Sequence, residues 1–191
     1  MSVLSDKLGG KRIILASGSP RRRELLAYIL PEFDVIPSGI EEVAFGFPAQ
    51  QVEKLAADKA ADIAAKYPDA LVIGADTLVA VDAQVLGKPA DAAEAAAMLK
   101  LLSGRTHTVY TGVAVVSNSK TQTLVESTQV TFCALSDGEI REYISTGEPM
   151  DKAGAYGIQG YGGKYITGID GCFFNVMGLP LNRLYNLLKS I

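Results

Sequence analysis

A chain of 191 residues that is 48% hydrophobic can bury a real core as one domain, or at most two small lobes. Its 18 basic and 21 acidic residues give a formal charge of −3, which speaks against a general nucleic-acid binder. A single histidine (His107) and two distant cysteines (Cys133 and Cys172) exclude a multi-histidine metal cage, a four-cysteine zinc site and a disulfide scaffold, and leave any chemistry mostly to carboxylates, lysines, arginines and hydroxyls. No apolar run reaches membrane-spanning length and the first residues carry no signal-peptide apolar region, so a cytoplasmic setting without membrane contact is expected, with both thiols reduced in the core.

Arg12 to Ala16 (RIILA) reads as a short buried strand. Ser19-Pro20 then supplies an N-cap and a first-position proline for a helix whose apolar face is Leu25, Leu26 and Ile29. Phe33 to Ile36 looks like a second strand. Ala49 to Lys66 is helical, with Val52, Leu55, Ala56 and Ile63 on one stripe. Leu71 to Val81 (LVIGADTLVAV) is a buried strand interrupted by Asp76. Asp91 and Glu94 open another helix as a capping-box-like pair, and Ala95, Met98, Leu99 and Leu102 keep its period. Thr106–Val116 and Thr121–Ala134 form a strand pair joined at Asn118, Ser119 and Lys120. Ser136 and Glu139 cap a further helix that Gly147-Glu148-Pro149 ends, and Leu181, Leu184, Tyr185 and Leu188 form the last one. Nine of the 19 glycines fall between Gly147 and Gly178, the mark of an ordered, turn-rich surface that a ligand can approach closely. The order of elements is that of an α/β protein.

Five features can carry chemistry. ASGSPRRRELL places Arg21, Arg22 and Arg23 in the first turn of a helix, where the dipole disfavours cations. A bound anion, met by free backbone N–H groups, guanidinium forks and the hydroxyls of Ser17 and Ser19, would resolve that conflict; solvated or ion-paired arginines are the plainer alternative. Asp76 stands inside an apolar strand, where a carboxylate is costly unless it is paired, metal-bound or faces a cleft. Lys59 shares the inward stripe of its helix, so it either snorkels at the edge of the core or meets a buried anion. Glu41 and Glu42 are either solvated loop acids or ligands for a hard cation. Gln159, in the glycine-rich stretch, can read a base edge with a paired donor and acceptor, although on the residues alone an ordinary loop glutamine is the favoured reading. Neither Gly9-Gly10-Lys11 nor Gly87-Lys88 has P-loop spacing, and the glycine-rich stretch is no dinucleotide fingerprint. His107 reads as structural.

The stretches LASGSPRRRELL, GIEE, the Lys-Ala of DKAAD, VIGADTLV, LGKP, MLKLLSGRTHTVYTGVAVV, GEPMDKAGAYGIQG and NVMGLPL, in that order, closely resemble the Maf family of nucleoside triphosphate pyrophosphatases, over nearly the whole chain. The resemblance implies a single domain over residues 1–191 with a mixed, elongated twisted sheet flanked by helices, two lobes around a nucleotide-binding cleft in the Maf/ITPase manner, and a homodimer. It implies hydrolysis of a nucleoside triphosphate between the α- and β-phosphates with a divalent metal, Mg²⁺ or Mn²⁺. By matching position, Asp76 is the catalytic carboxylate. Ser17, Arg21, Arg22, Lys59 and Lys88 hold phosphates, and Glu42 joins Asp76 at the metal. Arg21, Thr77 and Gln159 set substrate preference. The GEPMDKAGAYGIQG version resembles the branch acting on dTTP and UTP, some modified pyrimidine nucleotides included, more than the branch acting on 7-methyl-GTP. The competing expectation is a nucleotide-binding regulator of cell division that uses the same residues without hydrolysis.

Overall fold

The computed structural model describes Leu4 and residues 7–41, 46–82 and 84–191. Strands β1 (Ile13–Leu15), β2 (Asp34–Val35), β3 (Leu71–Val81), β4 (Gln84–Leu86), β5 (Thr106–Ser117), β6 (Lys120–Phe132) and β7 (Ile166–Asp170) make one seven-stranded mixed sheet. Its order is β2-β1-β3-β5-β6-β7, with β4 paired to β3. β1 runs parallel to both β2 and β3, whereas β3/β4 and β6/β7 are antiparallel. The helices are α1 (Pro20–Ala27), α2 (Pro48–Lys66), α3 (Ala92–Leu102), α4 (Asp137–Ser145), α5 (Phe173–Met177) and α6 (Leu181–Ser190). The chain forms two compact units, one of Met1–Asp76, Thr111–Glu126 and Gly178–Ile191, the other of Thr77–Tyr110 and Ser127–Met177.

In the first unit, α2 presents the expected stripe: Val52, Leu55, Ala56, Lys59 and Ile63 are all buried. Ala56, Ala60 and Ile63 join Ile14, Ala16, Val72, Ala114 and Val116 in one apolar cluster. The small residues let the helix lie flush on the sheet. A Cβ on Gly74 would stand 2.2 Å from the Ala56 carbonyl oxygen, and one on Gly112 would stand 2.2 Å from that of Val52, so only glycine fits at either place. Ser19 caps α1, its hydroxyl accepting from the Arg22 N–H at 3.4 Å, and Pro20 opens the helix as expected. The helix stops at Ala27, which leaves Ile29 half-buried beyond it and gives the core position to Leu30. The expected second strand shrinks to Asp34–Val35; both residues are exposed, and β1 is the neighbour they pair with at the sheet edge.

In the second unit, α3 packs on α4 and on the 3₁₀ turns Glu148–Asp151 and Ala153–Ala155. Asp91 caps α3 by accepting from the Glu94 N–H at 2.8 Å, but the Glu94 carboxylate reaches back to the N–H of Ala90 rather than that of Asp91. Ser136 and Glu139 close a full capping box on α4. Between β5 and β6, Asn118 and Ser119 both take positive φ (51° and 61°), the backbone a two-residue hairpin turn demands. His107, Phe132 and Tyr156 pack edge-to-face with ring centroids 4.8–5.3 Å apart. Cys133 and Cys172 are free, as expected, but half-buried rather than sealed in the core.

Candidate active site

Lys59 and Asp76 meet inside the first unit. The Lys59 Nζ donates to Asp76 Oδ1 at 2.7 Å, and the two residues are only 8% and 7% exposed. The strand imposes an inward position on Asp76, and the period of α2 brings Lys59 to it. Two ions can stay that deeply buried because each offsets the other's lost hydration.

Arg22 ties the neighbouring loops to this pair. Its Nη1 donates to Ser17 Oγ and to the carbonyl of Ala75, each at 3.0 Å, and its Nε donates to the carbonyl of Gly178 at 2.9 Å. Ala75 is the residue before Asp76, so the guanidinium fixes the strand beside the carboxylate. Ser17 is buried and also accepts from the N–H of Ser19 at 3.4 Å. Ser17, Arg22, Lys59 and Asp76 therefore belong to one constellation, while Arg21 is half-buried and Arg23 exposed on the same helix.

The remaining predicted residues lie in the second unit or outside the described segments. Thr77 follows Asp76 in β3 and is half-buried; strand alternation turns its side chain to the opposite face from Asp76. Lys88 is exposed after β4, in a loop whose Gly87 carbonyl accepts from the N–H of Gly154 at 3.0 Å. Gln159 is exposed in the glycine-rich segment. Lys88 and Gln159 thus both depend on the run from Gly147 to Gly163. Glu42 falls outside the described residues; Glu41, described and exposed, precedes it.

That run is organised by Tyr143 and by Glu148, which the sequence marks only as part of a helix stop. Tyr143 donates to Glu148 Oε1 at 2.7 Å and accepts from the N–H of Gly157 at 3.0 Å. Glu148 accepts from the N–H groups of Tyr161 (2.8 Å) and Gly162 (3.1 Å). Burial opposes the charge on Glu148, but these hydrogen bonds and the nearby Lys152 ammonium outweigh it and hold the carboxyl below its usual range. The signal available in the sequence was an acid leading into four closely spaced glycines, at positions 157, 160, 162 and 163. His107 is buried against Tyr156, its Nε2 2.8 Å from the phenol oxygen and its Nδ1 without a partner; burial pulls its pKa down to about 4.

Among the described residues, no group of three or more His, Cys, Asp or Glu side chains comes together around a metal position. Asp76 offers one hard oxygen donor, and a carboxylate or two completed by substrate phosphate oxygens is a set that Mg²⁺ accepts. The donor chemistry therefore fits a divalent ion bound together with a polyphosphate.

The family model for Maf-like proteins matches residues 12–191. The chain belongs to the Maf family. A dTTP/UTP pyrophosphatase of Bacillus cytotoxicus is 52% identical over 182 residues, covering 94% of this chain and 95% of that protein. One from Pelotomaculum thermopropionicum is 52% identical over 184 residues, with 94% and 96% covered. Among solved structures, the Staphylococcus aureus Ham1 protein superposes with a TM-score of 0.55 at 16% identity, over 94% of this Maf chain and 99% of its own, which establishes a shared fold. No helix among the described residues is long and apolar enough to cross a membrane.

Proposed function

We propose that this Maf family member is a nucleoside triphosphate pyrophosphatase that hydrolyses dTTP and UTP between the α- and β-phosphates, giving the monophosphate and pyrophosphate, and that it also clears base-modified pyrimidine nucleotides. The observation that carries this reading is the 52% identity to dTTP/UTP pyrophosphatases over almost the full length. The buried Lys59–Asp76 pair supports it, because it sets a carboxylate that can orient water beside a cation that can meet phosphate charge. A regulator that merely binds nucleotide has no need of that carboxylate.

In this mechanism Asp76 accepts a proton from the attacking water. Arg21, Lys59 and Lys88 meet the phosphate charge, and Arg22 and Ser17 keep the loop before α1 in place beside the strand that carries Asp76. A divalent cation held by Asp76 and Glu42 would supply further neutralisation of phosphate oxygens. Most of the rate comes from positioning and charge stabilisation, as is general for phosphoryl chemistry. Thr77 and Gln159 take part in the choice of base. A homodimer in the cytoplasm, with no nucleic-acid partner, completes the reading.

The test is pyrophosphate release from dTTP, UTP, CTP, ATP, GTP and base-modified pyrimidine triphosphates, with Mg²⁺, with Mn²⁺ and with chelator. Release from dTTP and UTP, abolished by chelator, is the expected result. Nucleotide binding without release from any of them would overturn the assignment in favour of a regulator.

A further inference from the structure

The turn that carries Gln159 is fastened at both ends to the same pair of side chains. On its leading side, the Gly157 N–H donates to the Tyr143 hydroxyl. On its trailing side, the N–H groups of Tyr161 and Gly162 donate to the two carboxylate oxygens of Glu148. The Tyr143 hydroxyl donates to Glu148 in turn, which closes the bracket. Glu148 is itself fixed: its backbone N–H donates to Thr146 Oγ1 and its carbonyl accepts from Lys152 Nζ at 2.7 Å.

The glycines are cut to this bracket. A Cβ on Gly160 would lie 2.1 Å from Glu148 Oε2, and one on Gly162 would lie 2.5 Å from the Tyr143 hydroxyl. Gly160 has φ −111° and ψ −150°, extended backbone that other residues can adopt. Its lack of a side chain therefore answers to the space that Glu148 fills, not to the conformation of the main chain.

We propose that Glu148 is the positioning residue for Gln159: with Tyr143 it closes the Gly157–Gly162 turn and so sets where Gln159 meets the pyrimidine base. The inference rests on the reading of Gln159 as the base-contacting residue. A carboxylate is needed because both of its oxygens accept. An amide in its place has one acceptor oxygen, and its NH₂ would face a backbone N–H, so Glu148→Gln must lose one side of the bracket.

The experiment measures kcat and KM for dTTP, UTP and CTP with the wild type, Gln159→Ala, Glu148→Gln, Gly160→Ala and the Glu148→Gln/Gln159→Ala double variant. Glu148→Gln and Gly160→Ala are each expected to raise KM for dTTP and lower its kcat/KM by about tenfold to a hundredfold, the scale of a slightly misplaced contact. The dTTP/CTP ratio falls with it, kcat changes little, and in the Gln159→Ala background Glu148→Gln lowers that ratio no further. A purely structural role would depress kcat for all three nucleotides alike and leave the ratio intact, and that result overturns the proposal. A ratio lost in Gln159→Ala but kept in Glu148→Gln and Gly160→Ala also overturns it, while the reading of Gln159 stands. A ratio kept in Gln159→Ala removes that reading itself and the proposal with it. If Glu148→Gln does not fold, Gly160→Ala and Tyr143→Phe, which deletes one hydroxyl, decide the matter by the same ratios.

Discussion

Arg22 in the first unit and Glu148 in the second both hold loops by the main chain, but they grip opposite ends of the peptide dipole. The guanidinium donates to the carbonyls of Ala75 and Gly178, whereas the carboxylate accepts from the N–H groups of Tyr161 and Gly162. Each sits beside one candidate function: Arg22 against the strand carrying Asp76, Glu148 around the turn carrying Gln159. The difference teaches what each anchor does for its site. The guanidinium spends its N–H groups on the main chain and leaves Lys59 to carry positive charge beside Asp76, while a half-buried carboxylate wrapped in amides shapes the turn that carries Gln159.

The comparison can be broken at four points. The largest effect is expected for Asp76→Asn. Turnover should fall by about 10²–10⁴-fold, the size of a lost general base, while nucleotide binding measured by calorimetry persists; a variant with near-normal pyrophosphate release would end the assignment. Next comes Lys59→Met, which strands Asp76 in the interior. Chemical denaturation should register a loss of about 3–5 kcal/mol, and Lys59→Met/Asp76→Leu should recover much of it, because the cost belongs to a buried carboxylate deprived of its ammonium.

The third point tests a neutral polar group of the second unit. His107 keeps a pKa of about 4 against its usual 6.5. Because the folded state resists the proton that the unfolded chain accepts, this contribution is whole above pH 6.5 and fades as pH falls towards 4. The loss amounts to about 3 kcal/mol. His107→Phe should flatten the wild-type stability profile across that window in urea titrations, and an unchanged slope would refute the assignment of the effect to His107. The smallest effect is expected for Arg22→Lys. It keeps the charge but loses the fork, at about 1.5–3 kcal/mol, with a raised KM for triphosphate; unaltered stability and KM would show that the fork does not matter.

The parts of the fold governed by period were legible in the sequence. β3 spans Leu71–Val81 as read, and every predicted stripe position of α2, Lys59 included, is buried. That phase pointed Lys59 inward, to the core edge or to an anion, and Asp76 announced itself as a charge in an apolar strand. What escaped was set by contacts between distant segments and obeys no period. Glu148 read as a residue at a helix stop, because its partners lie 13 and 14 residues further on. For Arg22, whose motif resembles a phosphate-binding one, nothing local disclosed that a carbonyl 156 residues away would accept from its Nε. The edge strand β2 came out shorter than its apolar composition suggested because β1 alone supports it.

Gly74 carries a consequence for how much change the site tolerates. With no atom between the strand backbone and the Ala56 carbonyl, helix and strand are stacked like two machined faces with no shim. A single methyl group inserted there would lift α2 bodily, and a hydrogen bond of 2.7 Å between Lys59 and Asp76 has no slack to absorb the lift. The reach of a lysine to its carboxylate is therefore governed two residues upstream of the acid, by a residue with no functional group at all.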